Sequence, residues 1–260
     1  MLIQIDIGQR RTYPLEISEQ ELYLPNLPAS LEGKLAAHLT DLHLGYAENE
    51  KVFTEVICKL AYYRPDLILL TGDYIDHDKS IGDYPLAQKL SALQAPLGVY
   101  ASFGNHDHRR GIKVIRQKLK DAGNICILNN ENVQISEKFW LAGIDDLHEG
   151  TPDVDAAFRG IPVGVPTLIL SHNPRLIEAI PDKEVVVLSG HTHGGQIRLP
   201  FPTPKMVCMF HLHCKQVSGW YRNGKARLYV SRGLGVTGYP LRFRCAAELA
   251  LFRLTGSNPA

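Results

Sequence analysis

The chain has 260 residues, 45% hydrophobic and 21% charged, with a formal net charge of +1. That length suits one sizeable core, and the near-neutral charge gives no wholesale electrostatic grip on nucleic acid, so no stable nucleic-acid partner is expected. No apolar run approaches the ~18 residues of a membrane span, and Met1-Leu-Ile-Gln-Ile-Asp6 turns polar too early for a signal peptide. Cys58, Cys126, Cys208, Cys214 and Cys245 are scattered, odd in number and without CxxC spacing, which fits a reduced, cytoplasmic compartment.

In chain order, residues 1–33 carry weak strand patterns and the turn-rich Leu24-Pro-Asn-Leu-Pro28, as an edge strand or arm would. Leu35–Thr40 reads as a strand ending in Asp41-Leu-His43. From Asn49 to Tyr63, Val52, Phe53, Val56, Ile57, Leu60 and Ala61 recur at helical spacing, and Pro65 ends the helix. Leu67–Leu70 is apolar without alternation, as in a strand buried on both faces of a parallel sheet, and it runs into Thr71-Gly72-Asp73. These pieces predict a right-handed strand–helix–strand unit. A second helix is expected over Pro85–Leu93. A third strand, Leu97–Phe103, ends in Gly104-Asn105-His106-Asp107, and Ile112, Ile115 and Leu119 mark a helix closed by Gly123.

Beyond Gly123 the period shortens. Ile125–Leu128, Val133–Ile135 and Phe139–Ile144 predict strands of a second, partly antiparallel sheet. Thr167–Leu170 ends in Ser171-His172-Asn173-Pro174, and, after a short helix, Val185–Leu188 ends in Gly190-His-Thr-His-Gly-Gly195. Further strands are expected at Gln216–Tyr221, Ala226–Val230 and Ala247–Leu254. With no repeat, low-complexity tract or linker, the expectation is one α/β domain over residues 1–260: two packed sheets with helices outside, a four-layer α/β/β/α sandwich.

Five strand ends therefore present Asp41 and His43, Asp73, Asn105, His172, and His191 with His193. Seven oxygen or imidazole ligands are too many for one ion and suit two that share a carboxylate. A thiolate-free Asp/Asn/His set fits manganese, iron or zinc rather than a structural zinc. In Asp-x-His or His-x-His just past a strand, alternate side chains point the same way, so both members reach one site. Two metals ~3.5–4 Å apart can hold a hydroxide between them and clamp the attacking and leaving oxygens of a phosphoryl transfer.

Asp41-x-His43, Gly72-Asp73-x-x-Asp76, Gly104-Asn105-His106-Asp107, His172 and Gly190-His191-x-His193 resemble, in order, the motif set of the calcineurin-like metallophosphoesterase superfamily. The resemblance implies that Asp41, His43, Asp73 and His193 hold one divalent ion and that Asp73, Asn105, His172 and His191 hold the other, with Asp73 bridging. Manganese is the first expectation, with iron, zinc, cobalt or magnesium as alternatives. It further implies that His106 orients the phosphate and protonates the leaving oxygen, while Asp76 accepts its other ring proton. His77, Asp107 and the compact Gly-His-x-His differ from Ser/Thr protein phosphatases. Gly194–Pro200 and Ser231–Gly235 instead resemble a bacterial single-domain branch that includes lipid-associated UDP-2,3-diacylglucosamine pyrophosphohydrolases.

Not every polar residue near these motifs is assigned to the site. Asp76 could be a turn residue only, and His38, inside its strand, is expected to be structural. His77, His108 and His148 lie near motif loops without a role. Asp145-Asp146 follows a strand, but seven ligands already fill two sites, so a solvated loop is expected. Residues 199–214 hold Met206, Val207, Met209, Phe210 and Leu212 among Cys208, His211, His213 and Cys214. They form a flap that grips an acyl chain or touches a membrane, a packed excursion, or a cramped zinc site. The sequence thus predicts a dimetal hydrolase of phosphodiesters or pyrophosphates, with an acylated nucleotide-sugar pyrophosphate as one candidate substrate. The rivals are a non-catalytic scaffold and a nuclease. A scaffold would be free to lose ligands, yet every ligand position is suitably filled; a nuclease would be expected to carry a basic excess.

Overall fold

The computed structural model describes residues 13–76 and 81–257, so His77 and the Met1–Asp6 stretch lie outside the described residues. The strands, in chain order, are β1 (Leu15–Tyr23), β2 (Leu35–Leu39), β3 (Leu67–Thr71), β4 (Val99–Ser102), β5 (Ile125–Ile127) and β6 (Glu131–Ser136). They continue with β7 (Phe139–Gly143), β8 (Thr167–Leu170), β9 (Val185–Ser189), β10 (Gly219–Asn223), β11 (Ala226–Val230) and β12 (Ala247–Thr255). The helices are α1 (Ala47–Tyr63), α2 (Leu86–Leu90), α3 (Asn105–Asp121), α4 (Val154–Phe158) and α5 (Pro204–Leu212).

The strands form two six-stranded sheets, ordered β1-β12-β2-β3-β4-β5 and β10-β11-β9-β8-β7-β6. The central strands β2 to β5 run parallel, as do β7, β8, β9 and β11; β6 and β10 flank the second sheet antiparallel. The edge strand expected near the N-terminus is β1, parallel to β12 over its whole length.

Pleating explains the unbroken apolar runs. Leu67 and Leu69 of β3 pack between the sheets with Leu168, Leu170, Leu188 and Phe252. Ile68 and Leu70 face outward onto Val56 and Leu60 of α1 and Ile115 and Leu119 of α3. On the far side Ile169, Val187 and Leu228 meet Ala157 of α4 and the 3-10 turn Pro174–Glu178. Three apolar layers thus separate helix, sheet, sheet and helix, which is the four-layer architecture the sequence predicts. No helix among the described residues is long and apolar enough to cross a membrane.

Two expectations need correction, and one helix gains a segment. The helix marked by Ile112, Ile115 and Leu119 is present, and a polar helical stretch from Asn105 precedes it, set off by a kink at Gly111 (φ 119°, ψ 81°). The second helix is only Leu86–Leu90. Residues 204–212, expected as irregular, form α5, capped by the Thr203 hydroxyl, which accepts from Met206 N at 3.4 Å.

Candidate active site

The carboxyl ends of β2, β3, β4, β8 and β9 meet at one edge of the sandwich, and all seven expected ligands come together there. His193 Nε2 is 3.3 Å from Asp41 Oδ1, and His43 Nε2 is 3.5 Å from Asp73 Oδ2. His172 Nε2 is 3.1 Å from the same Asp73 oxygen. His191 Nδ1 lies 2.9 Å from Asn105 Oδ1, and its ring centroid is 5.1 Å from that of His172. Asp73 Oδ2 is therefore shared between two sets of donors. Asp41 with His43 and His193, and Asp41 with Asp73 and His172, each bring one ligand atom per residue within 4.8 Å of one another.

The convergence is not achieved as expected. The Asp-x-His and His-x-His triplets do not continue their strands with alternating side chains. Asp41, His43, Asp73, His191 and His193 all take positive φ, from 41° to 73°. This left-handed conformation is uncommon away from glycine, though Asp and His tolerate it better than most residues, and it marks a backbone over-determined by its surroundings. Those surroundings are visible: Asp41 N donates to Gly72 O and His43 N to Asp73 O at 3.1 and 3.0 Å. The side chains are fixed too. His106 N donates to Asp73 Oδ1 at 2.8 Å, and His191 N to both Asp41 oxygens at 3.1 Å. Glycine is required at 104 and 190 because any Cβ there would collide with the Asp73 and Asp41 carboxylates, respectively.

The second layer sets the imidazole tautomers. His193 Nδ1 faces Gly235 O at 3.3 Å and His172 Nδ1 faces Thr71 O at 2.7 Å, so each Nδ1 carries its proton toward a carbonyl. His43 Nδ1 faces Asp76 Oδ2 at 3.6 Å. The Nε2 atoms of these rings consequently point inward. His43 Nε2 and His193 Nε2 confront each other at 3.1 Å, while the buried His172 Nε2 and His191 Nε2 make no hydrogen bond. Ring nitrogens aimed at one another and at carboxylates suit a cation between them.

Electrostatics agree. Burial pushes Asp41 up to about 6, helped by Asp73 and opposed by His172. Burial lowers His43 to about 4 and drives His191 and His193 well below the usual imidazole value, which leaves neutral rings fit to ligate metal. His172 is the exception: burial would lower it, yet Asp73 and Asp41 hold it up to about 10. The two carboxylates thus hold His172 as a cation, and a divalent ion that took over their charge would free its Nε2 to ligate.

His106 stands at the rim, with 21% of its side chain exposed, and its Nδ1 is 3.4 Å from Asp76 Oδ1. Burial would lower this imidazole, but Asp76 and the Asp73 charge outweigh it and hold His106 above its ordinary value. Asp76 is lowered, since contacts from His106, His43 and Arg110 outweigh its burial.

Residues 35–195 match the family model described as calcineurin-like phosphoesterase. The chain belongs to this family. It is 32% identical to the Bacillus subtilis metallophosphoesterase YkuE, over 94% of this chain and 87% of that one. It is 32% identical to the Escherichia coli phosphodiesterase YaeI, over 83% and 80%. The UDP-2,3-diacylglucosamine pyrophosphatase LpxG of Chlamydia muridarum is 27% identical, over 92% and 89%. A longer Helicobacter pylori metallophosphoesterase is spanned over 65% of its length. Among solved structures, a dimetal phosphatase from Danio rerio superposes with a TM-score of 0.50 at 11% identity, over 78% of this chain and 88% of that one. As a calcineurin-like phosphoesterase the protein is a metal-dependent hydrolase of phosphate esters.

Several residues that organise this phosphoesterase site were given no role in the sequence reading. Arg110, one helical turn past His106, pairs with Asp76 through Nε at 3.1 Å and through Nη2; the i, i+4 spacing was the available signal. Thr237 Oγ1 donates to Asp76 Oδ2 at 2.9 Å. Buried Arg242 donates to carbonyls of His193, Arg232, Gly233, Gly235 and Ala246, clasping the 232–246 loop against the His193 turn. Asp107 accepts from Gly104 N, Asp73 N and Tyr74 N at 2.8 to 3.0 Å, tying the start of α3 to the end of β3.

Other expectations fare differently. His38 is buried against Thr71 Oγ1 at 2.8 Å, consistent with a structural role. Asp145 and Asp146 are not solvated: both are buried. Asp145 accepts from His108 at 2.7 Å and from Thr151 N, and Asp146 caps the turn at His148 and Glu149. His148 sits beside His191, with ring centroids 5.5 Å apart. Cys208 and Cys214 are buried whereas His211 and His213 face solvent, and the four form none of the metal-competent groups found among the described residues.

Asp107→Ala should destabilise the fold by on the order of 3 kcal/mol, because three buried N–H groups lose a carboxylate acceptor. Thermal or urea unfolding of the metal-free protein measures it. A loss within about 0.5 kcal/mol, the range of a neutral surface change, would show that Asp107 does not brace the two loops.

Proposed function

We propose that this chain hydrolyses a phosphodiester or pyrophosphate bond with two divalent ions, manganese being the first choice. Asp41, His43, Asp73 and His193 would hold one, and Asp73, Asn105, His172 and His191 the other. The observation that carries this reading is the set of inward imidazole nitrogens around the shared Asp73 oxygen, with a backbone carbonyl behind both His172 and His193. When bound, the ions supply Lewis-acid activation of water and neutralise charge on the phosphoryl group.

The chain's own residues do the remainder. Asp76 holds the Nδ1 proton of His106 and stabilises its imidazolium, leaving an Nε2 proton to pass to the leaving oxygen. Arg110 and Thr237 keep Asp76 ionised and aimed. The buried backbone donors on Asp41 and Asp73 hold both carboxylates in place whichever substrate enters.

The finer proposal concerns substrate. Metals and His106 read only the phosphate, so selection falls to the rim. There α5 leaves Met209 42% and Phe210 71% exposed next to the His193 turn, which supports a substrate with an apolar part such as an acylated nucleotide-sugar pyrophosphate. The likeness to LpxG points the same way. Each buried methylene would contribute ~0.8 kcal/mol, so part of one acyl chain could dominate binding.

Three measurements test this. Chelation should abolish turnover of bis-nitrophenyl phosphate and restored manganese should recover it; Asp73→Asn should lower bound metal and activity more than any other ligand change. Full activity in chelated protein would overturn the assignment. His106→Ala should cost ~10²–10⁴-fold in kcat for poor leaving groups and much less for nitrophenolate, with metal content unchanged. Equal losses on both would leave His106 a positioning role only. Replacing Met209 and Phe210 by Ser should reduce kcat/KM on acylated substrates and spare bis-nitrophenyl phosphate; parallel losses in a protein of unchanged Tm would remove the acyl reading.

A further inference from the structure

Seven of the eleven exposed large apolar side chains among the described residues fall in two segments, 199–210 and 239–243. Phe201, Phe210 and Tyr239 are 75%, 71% and 75% exposed, values that belong to protruding tips rather than the rim of a packed core. The other four, Tyr62, Val114, Val163 and Trp220, come from separate elements.

The two segments adjoin. Phe243 N donates to Gln196 O and Arg198 N to Phe243 O at 3.0 and 2.9 Å, and Gln196 Nε2 donates to Tyr239 O at 3.0 Å. Both border the metal-competent edge. Pro204, at the start of α5, packs on Gly195, and Thr237 reaches Asp76.

Charge is partitioned along the chain in the same place. From Val185 to Ala247 there are nine Lys and Arg and no Asp or Glu, so the remaining residues, with 19 basic and 27 acidic side chains, carry a formal −8. Arg222, Lys225 and Arg227 belong to the β10–β11 hairpin, and Arg242 is buried, but Lys205, Lys215 and Arg244 are exposed within or beside the apolar segments. Arg244 lies over the Phe243 ring, 5.4 Å from its centroid.

We propose that this face docks the phosphoesterase on an anionic lipid bilayer, with the apolar tips entering the headgroup–acyl boundary and the cations meeting lipid phosphates. Aromatic and aliphatic tips that project singly from a turn and a short helix, set among cations and free of carboxylates, match what an anionic interface binds. The active edge would then open toward the membrane, where an apolar substrate resides. The proposal builds on the acylated-substrate reading, but its test reads binding rather than turnover, so the two can fail separately.

The test uses the full metal-loaded chain with phosphatidylcholine vesicles, with and without a phosphatidylglycerol fraction, followed by co-sedimentation. Binding should require the anionic lipid and weaken with salt. Phe201→Ser with Leu241→Ser, and separately Lys205→Glu with Arg244→Glu, should each lower vesicle affinity roughly tenfold or more, with hydrolysis of bis-nitrophenyl phosphate in solution unchanged. Binding equally to neutral vesicles, or to none at low salt, would overturn the proposal. So would self-association that the Phe201/Leu241 change abolishes, since the face would then join two copies of the chain. The charge-reversal pair keeps the test decisive if the apolar pair impairs folding.

Discussion

Two carboxylates buried at one sheet edge set the terms for everything around them. Asp41 and Asp73 are almost wholly removed from water, and a carboxylate so placed must be neutralised or met by strong donors. The chain meets Asp73 with His106 N and Asp41 with His191 N, then surrounds both with imidazoles. Left-handed backbone at five of the seven converging residues costs of order 1–3 kcal/mol each, and the absence of a Cβ at Gly104 and Gly190 lets the loops close that tightly. Stability is given up at this edge to hold charged groups where water would otherwise pull them apart.

What holds the strained turns is a second set of buried polar residues, each joining stretches far apart in sequence. Asp107 links the start of α3 to the end of β3. Asn49, on α1, donates to the His43 and Val236 carbonyls and accepts from Tyr13 and Val236 N. Arg242 gathers carbonyls of the 232–246 loop and the His193 turn. Because each buried group is satisfied by partners from different loops, removing one would loosen two turns at once.

Much of this was legible in the sequence, for definable reasons. Strands buried on both faces write themselves as unbroken apolar runs, so β2, β3, β8 and β9 and the polar residues at their ends could be read directly. The converging set could be named because its residue types recur in order at those ends. The polar helical stretch of residues 105–110, ahead of the kink at Gly111, could not, because periodicity reports only a buried apolar face. The start of α5 was present as Thr203-Pro204, an N-cap followed by proline in the first helical position, but the surrounding prolines read as loop. Arg242 carried no local signal, since its partners are carbonyls that only the folded chain assembles. Asp145-Asp146 read as solvated because burial there depends on His108 and the Thr151 turn, both supplied by tertiary packing.

The two rims of the active edge handle charge in opposite ways. On the side of β7, Asp145 is paired with His108 and Glu149 with Arg109, so that rim is polar but internally neutralised. On the side of α5 and the 237–244 loop, no carboxylate is contributed by the chain itself, and apolar tips lie between the cations. Thr237 ties the apolar rim to the site. It belongs to the apolar rim yet holds Asp76, which in turn contacts both His43 and His106. The apolar rim is thus joined to His106 through two contacts, Thr237 to Asp76 and Asp76 to His106.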